Sequence, residues 1–135
     1  MGYRLLLTLI AMIFATATSA RDVGQWDNTD PQLREWYQSL MQPDNPAQSC
    51  CGEAEAYWCD DPHTKRDDKN RVHNYCTITD DRPDEPRRRL HIDIGTEIEI
   101  PDHKVKKDQG NPTGHGVVFL NRGWFVYCYV MPGGV

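Results

Sequence analysis

The sequence has only one long apolar run, Leu5 to Phe14, about half of the ~20 residues that a membrane-spanning helix needs. Basic residues are in short supply: 15 Lys and Arg face 20 Asp and Glu, a net charge of −5. Nucleic acid and anionic membranes reward a basic surface, so this composition argues against both as partners. There is no Gly-rich phosphate loop, no Cys-x-x-Cys and no Cys-x-x-Cys-His for haem attachment. No Ser-, Cys- or metal-based catalytic motif stands in its usual context. These absences imply no cofactor and leave no reaction to name. Internal repeats are missing too, which excludes a solenoid.

What is present begins with an export signature. Arg4 precedes the apolar run, and Ala15-Thr-Ala-Thr-Ser-Ala20 follows it. A charged start, an apolar centre and small residues before a cut make up the grammar of a removable signal peptide, here residues 1–20 with cleavage after Ala20. The first cysteine is Cys50, so no lipid-anchored cysteine follows the apolar run and no stable membrane anchor is expected. Removing residues 1–20 takes away one basic residue and no acidic one, which widens the acidic excess. Residues 21–135 have the length of one small domain, in a periplasmic or secreted location where disulfides can form.

Residues 21–29 read as a polar lead-in. Asp30-Pro31 then gives an N-cap and a first helical residue. Leu33, Trp36, Tyr37, Leu40 and Met41 form one apolar stripe, and Gln42-Pro43 ends the helix. Residues 42–49 read as a loop, 53–59 as a short strand, and 60–71, nearly all polar, as a solvated hairpin tip. Strands are expected over 72–79, over 90–94 from the alternation of Leu90, Ile92 and Ile94, and over 96–100. The clearest β signal is 116–120 and 124–130 around Asn121-Arg122-Gly123, a hairpin turn with Gly123 at the left-handed position. Strict alternation places Trp124, Val126, Cys128 and Val130 on one face and Phe125, Tyr127 and Tyr129 on the other. A strand apolar on both faces is covered on both, and the helix is the available cover. The fold expected is mainly β with one N-terminal helix: a small antiparallel sheet or partly closed barrel of about five strands, stapled by disulfides.

Five cysteines, 50, 51, 59, 76 and 128, follow the signal region, and sequence alone does not choose among their pairings. Cys128 lies in a strand and needs a partner distant in sequence, which Cys50 or Cys51 can supply. Such a long loop contributes ~4 kcal/mol through chain entropy. Cys59 and Cys76 bracket the polar loop. The favoured map is Cys51–Cys128 and Cys59–Cys76, with Cys50 free and able to form a covalent dimer.

Trp36-Tyr37-Gln-Ser-Leu40-Met-Gln-Pro43, Ser49-Cys50-Cys51, Asn111-Pro112-Thr113-Gly114 and Cys128-Tyr-Val-Met-Pro132-Gly133-Gly134 together resemble a group of small exported hypothetical proteins of Gram-negative bacteria. The resemblance spans residues 36–135. It implies no activity, ligand or fold, and it implies that the Cys-Cys pair and the late cysteine belong together.

Three functional readings remain. The favoured one is a non-enzymatic binding or interaction module, its partner an unknown protein or small molecule outside the cytoplasm, with Phe125, Tyr127 and Tyr129 as the binding patch if that face is exposed. The second is a zinc or copper protein using Cys59, His63, His73 and Cys76, two thiolates and two imidazoles in short-spaced pairs. The third is an enzyme. Vicinal Cys50-Cys51 lies after a helix C-terminus and before Glu53 and Glu55, which disfavours a reactive thiolate. The acidic residues Glu53 and Glu55, and Asp93 with Glu97 and Glu99, more simply line a solvated strand face than act as acid and base.

Overall fold

The computed structural model describes residues 29–85, 89–107 and 110–133. The expected signal peptide and nearly all of the polar lead-in lie outside the described residues. No described helix is long and apolar enough to cross a membrane.

Helix α1 (Pro31–Ser39) starts as its sequence dictates. The Asp30 carboxylate accepts from the backbone N–H groups of Gln32 and Leu33 at 2.9 and 3.2 Å. Pro31 stands where a missing N–H is harmless. The helix ends earlier than its apolar stripe suggests, because Leu40 is already extended. Pro43 disfavours helical backbone at Gln42. Met41–Gln42 instead form strand β1, paired antiparallel with β2 (Asn45–Ser49). The stretch expected as a plain loop is therefore a small hairpin.

The main sheet has six strands: β3 (Glu55–Arg66), β4 (Val72–Ile78), β5 (Glu97–Ile100), β6 (Val105–Lys106), β7 (Val117–Leu120) and β8 (Val126–Val130), in the order β5-β4-β3-β7-β8-β6. All neighbours are antiparallel except β6 and β8, which run parallel. The sheet curls into a half-barrel. The described residues are thus mainly β with one N-terminal helix and two disulfides, as expected, but with eight strands in two sheets rather than about five.

Strand β7 is buried along its whole length, and its alternate residues feed two apolar clusters. Val118 and Leu120 join Tyr57, Cys59, Cys76, Ile98, Ile100 and Tyr129 on the inner face. Val117 and Phe119 join Tyr37, Leu40, Cys50, Cys51, Cys128 and Val130 on the outer face, under α1. Each large side chain so buried contributes about 1.5–3 kcal/mol. The helix is the cover that a two-faced apolar strand requires.

Four local expectations are corrected. The polar stretch 60–71 is not one loop, because β3 runs on to Arg66 and pairs with β4 from His63↔Tyr75 to Arg66↔Val72. This ribbon, joined by β5 at Asn74 and Tyr75, is held by its ladder rather than by apolar burial, so hydrophobic alternation does not reveal it. Pro62 sits at a register shift between Asp60 and His63, where a missing N–H is tolerated. Residues 90–94 form no strand: only Ile92 is buried, and Leu90 and Ile94 are exposed.

The turn after β7 places Trp124, not Gly123, at positive φ (65°). The Asn121 carboxamide oxygen accepts from the N–H groups of both Gly123 and Phe125, which fixes that geometry. Finally, β8 carries a bulge. Phe119 pairs with Cys128 but Leu120 pairs with Val126, so Tyr127 is the extra residue. The bulge breaks strict alternation. Val126 and Tyr129 therefore belong to the inner cluster, and Tyr127, Cys128 and Val130 to the outer side.

The disulfide map is also corrected in part. Cys59 is bonded to Cys76, and Cys128 is bonded to Cys50, not Cys51. Cys50 follows β2 and lies 5.5 Å from Cys128 between Cα atoms, well within bonding range. The next residue turns toward the helix, where the Cys51 thiol meets the Tyr37 carbonyl at 3.2 Å. Cys51 is the free cysteine and is 6% exposed.

Candidate functional site: the mouth of the half-barrel

The two edge strands, β5 and β6, are joined by Pro101 and a single 3-10 turn, Asp102–Lys104. That short link draws the two ends of the curled sheet toward each other without pairing them. Between them lies a groove of about 430 Å³. Its floor is apolar: Ile100 of β5, Val105 of β6 and Tyr129 of β8, all in or against the inner cluster. Its rim is polar: His63 and Thr64 from β3, Asn74 from β4, and Asp102 and Lys107 from the β5–β6 connection and beyond.

Each wall is fixed from below. The Tyr129 hydroxyl donates to the Cys59 carbonyl at 3.0 Å, and burial raises the phenol's pKa, so the floor stays protonated and neutral. The Asn74 carboxamide donates to Asp102, tying β4 to the turn. The His63 ring lies between the Asp61 carbonyl, 2.7 Å from Nδ1, and the Glu97 carboxylate, 2.9 Å from Nε2. The Asp61 carbonyl first, and Glu97 next, raise the His63 pKa. The polar group of that floor, the Tyr129 hydroxyl, is committed to its hydrogen bond.

Asp60, midway along β3, clamps that strand to the loop before β7. It accepts from the Thr79 hydroxyl at 2.5 Å, the Gly116 N–H at 2.8 Å and His115 Nδ1 at 2.9 Å. The His115 ring stacks on Trp58 at 4.0 Å between centroids. Asn111 holds the same loop, donating to the carbonyls of His115 and Met131. Within Asn111-Pro112-Thr113-Gly114, Asn111 and Thr113 therefore build a rigid turn that seats His115 and Gly116.

Of the residues singled out from sequence, the groove gathers only His63 and Tyr129. Phe125 and Tyr127 lie elsewhere. Phe125 is 55% exposed beside the hairpin turn, edge-on to Tyr127 and under the Lys104 ammonium. Tyr127 packs toward the helix. The bulge leaves Phe125 against Tyr127 but puts Tyr129 on the opposite face, so the three aromatics form no common patch. The four-residue metal set is not assembled either. The Cys59–Cys76 bond takes both sulfurs. His73 is held by Glu99 at 2.6 Å and Asp67 at 3.2 Å. Among the described residues no group of three or more His, Cys, Asp or Glu is placed to hold a metal ion.

Thr64, Asn74 and the 100–105 segment that supplies Ile100, Asp102 and Val105 carry no motif, and nothing in the sequence links the three stretches. The one available signal is the short distance from Ile100 to Val105, which forces two edge strands together.

The sequence matches no known family model, and no curated protein or solved structure is detectably similar to it.

Proposed function

We propose that this chain is an exported, non-enzymatic binding module whose ligand occupies the groove at the mouth of the half-barrel. The observation that carries the reading is the groove itself. Its volume falls within the ~300–1,000 Å³ range of ligand sites, it joins an apolar floor to a few polar rim groups, and barrel mouths are a favoured location for such sites. Residues 1–20, with their signal-peptide grammar, and the two disulfides support a place outside the cytoplasm, periplasmic or secreted. The likeness of the Cys-Cys and late-Cys motifs to small exported bacterial proteins agrees with that location. An acidic chain of this kind suits neither nucleic acid nor an anionic membrane as partner.

The test is a titration of the isotope-labelled secreted protein with a panel of small aromatic and aliphatic fragments, followed by amide chemical shifts. Saturable shifts at Thr64, Asn74, Ile100, Val105 and Tyr129 are expected. Saturable shifts confined to Trp124 and Phe125 would contradict the groove and move the site to the hairpin tip. Intact mass of the secreted product should show a chain starting at Arg21; a chain retaining Met1 would contradict the export reading.

A further inference from the structure

The groove opens between two sheet edges, and one of them has unused hydrogen-bonding capacity. Strand β5 pairs with β4 through Cys76↔Ile98 and Asn74↔Ile100, and the Ile78 N–H donates to the Thr96 carbonyl one step earlier in the same ladder. In an antiparallel ladder the bonded pairs recur every second residue. Ile98 and Ile100 therefore spend their backbone groups on β4, and the N–H and C=O groups of Glu97 and Glu99 point to the outer edge. Among the described residues no strand pairs with that edge.

The side chains of β5 are sorted as cleanly as its backbone. Ile98 and Ile100 are buried on the inner face, and Glu97 and Glu99 are exposed on the other. A strand laid along the free edge would place alternate side chains beside Ile98 and Ile100, leading into the groove, and the others beside the two carboxylates. Exposed edges are normally blunted by charge; here Lys65 and His63 hold Glu97 and His73 holds Glu99, and both carboxylates keep exposed surface for a further cation. A second copy of this chain pairing edge to edge would set Glu97 and Glu99 against their own duplicates. An acidic segment would be repelled in the same way. A segment with cations at alternate positions would not.

Resting on the groove as the binding site, we infer that its occupant is an extended peptide segment, alternately apolar and basic, which adds as a strand to the free edge of β5. Backbone pairing supplies the affinity, and the groove beside Ile100, Val105 and Tyr129 selects the apolar side chain.

The probe is a blocked octapeptide of alternating Lys and Val, used on the intact secreted protein. Two companions accompany it: the same peptide N-methylated at alternate residues, and an alternating Glu and Val peptide. Binding should slow amide hydrogen exchange at Glu97 and Glu99 by at least about tenfold, the effect of closing a solvated edge. N-methylation on the pairing side and the acidic sequence should each weaken binding by about tenfold or more, corresponding to about 1.4 kcal/mol. If small fragments shift the groove residues but the Lys-Val peptide leaves Glu97 and Glu99 exchange unchanged, strand addition is wrong and the groove stands. If the N-methylated or acidic peptide binds as well as the Lys-Val peptide, backbone pairing or charge selection respectively is wrong. If neither fragments nor peptide perturb the groove, both readings fail together.

Discussion

The hydroxyl of Tyr129 on β8 reaches across β7 to the backbone carbonyl of Cys59 on β3, at 3.0 Å. It locks the floor of the groove to the strand that carries the Cys59–Cys76 bond. Replacing Tyr129 with Phe keeps the ring and removes the bond. The expected loss of stability is about 1 kcal/mol, measured as a shift in urea midpoint with unchanged slope. An unchanged midpoint would mean that the hydroxyl does not hold the floor.

Gly116 stands at the same junction. A Cβ there would lie 2.1 Å from the Cys59 carbonyl oxygen and 2.6 Å from the Tyr129 hydroxyl. The first neighbour is backbone and cannot swing aside. Gly116→Ala is expected to destabilise the fold by about 3 kcal/mol or more. A circular-dichroism melt that matches the wild-type protein would contradict this close approach.

The free thiol is expected to be silent. Burial first, and the charge of Glu55 second, push the Cys51 pKa up to about 12. Iodoacetamide at neutral pH should leave the native chain unmodified and label one cysteine, Cys51, once the chain is unfolded without reductant. Peptide mapping checks this. Labelling of Cys50 instead would overturn the bond map. Because the Cys50–Cys128 loop is much longer than the Cys59–Cys76 loop, with sequence separations of 78 and 17, its removal should be the more harmful, about 4–5 against about 3 kcal/mol.

Much of this arrangement was legible in the sequence, and the failures have particular causes. Asp30-Pro31 and the Leu33 to Leu40 stripe named the helix, because capping and amphipathicity are local. The alternation of Ile98 and Ile100 named β5 for the same reason. Leu90, Ile92 and Ile94 show the same alternation but find no partner strand, and pairing is not a local property. The ribbon from His63 to Arg66 is held by backbone bonds that polar side chains do not advertise. The bulge at Tyr127 inserts one residue and moves Tyr127 and Tyr129 to opposite sides of the sheet, which no period-two reading anticipates. The groove itself depends on the curl of six strands, and so its floor was not visible.

Trp124 offers a test of backbone strain. It holds φ at 65° while 48% exposed, a conformation that costs a bulky residue about 1–2 kcal/mol. Trp124→Gly should therefore be neutral or stabilising by up to about 1 kcal/mol, where the same change within a strand would destabilise. Chemical denaturation decides it, and a loss above about 1 kcal/mol would show that packing of the indole outweighs the strain.

The pH dependence follows from histidines, His63 and His73 half-buried and His91 exposed, set against acids. Glu99 chiefly, then Asp67, raises the His73 pKa, and Asp84 chiefly, then Asp93, raises that of His91; His63 is raised as well. A raised folded value means that the protonated form favours the native state. That contribution is complete below about pH 6.5 and fades as pH climbs through the raised values. Lys65 lowers Glu97 and His91 lowers Asp84, and their contribution is lost as pH falls below about 4. Melting temperature should therefore peak between about pH 4.5 and 6.5 and decline toward pH 8.5. His73→Gln should flatten part of the decline. A melting temperature that rises from about pH 6 to 8.5 would contradict the histidine pairing.

The groove is tested most directly by filling it. Thr64 lines its rim and is exposed, so Thr64→Trp can occlude the space without disturbing the core. Affinity for a groove-shifting fragment should fall about tenfold or more, with the melting temperature within a few degrees of wild type. Undiminished affinity in a folded Thr64→Trp protein would place the binding site elsewhere on the molecule.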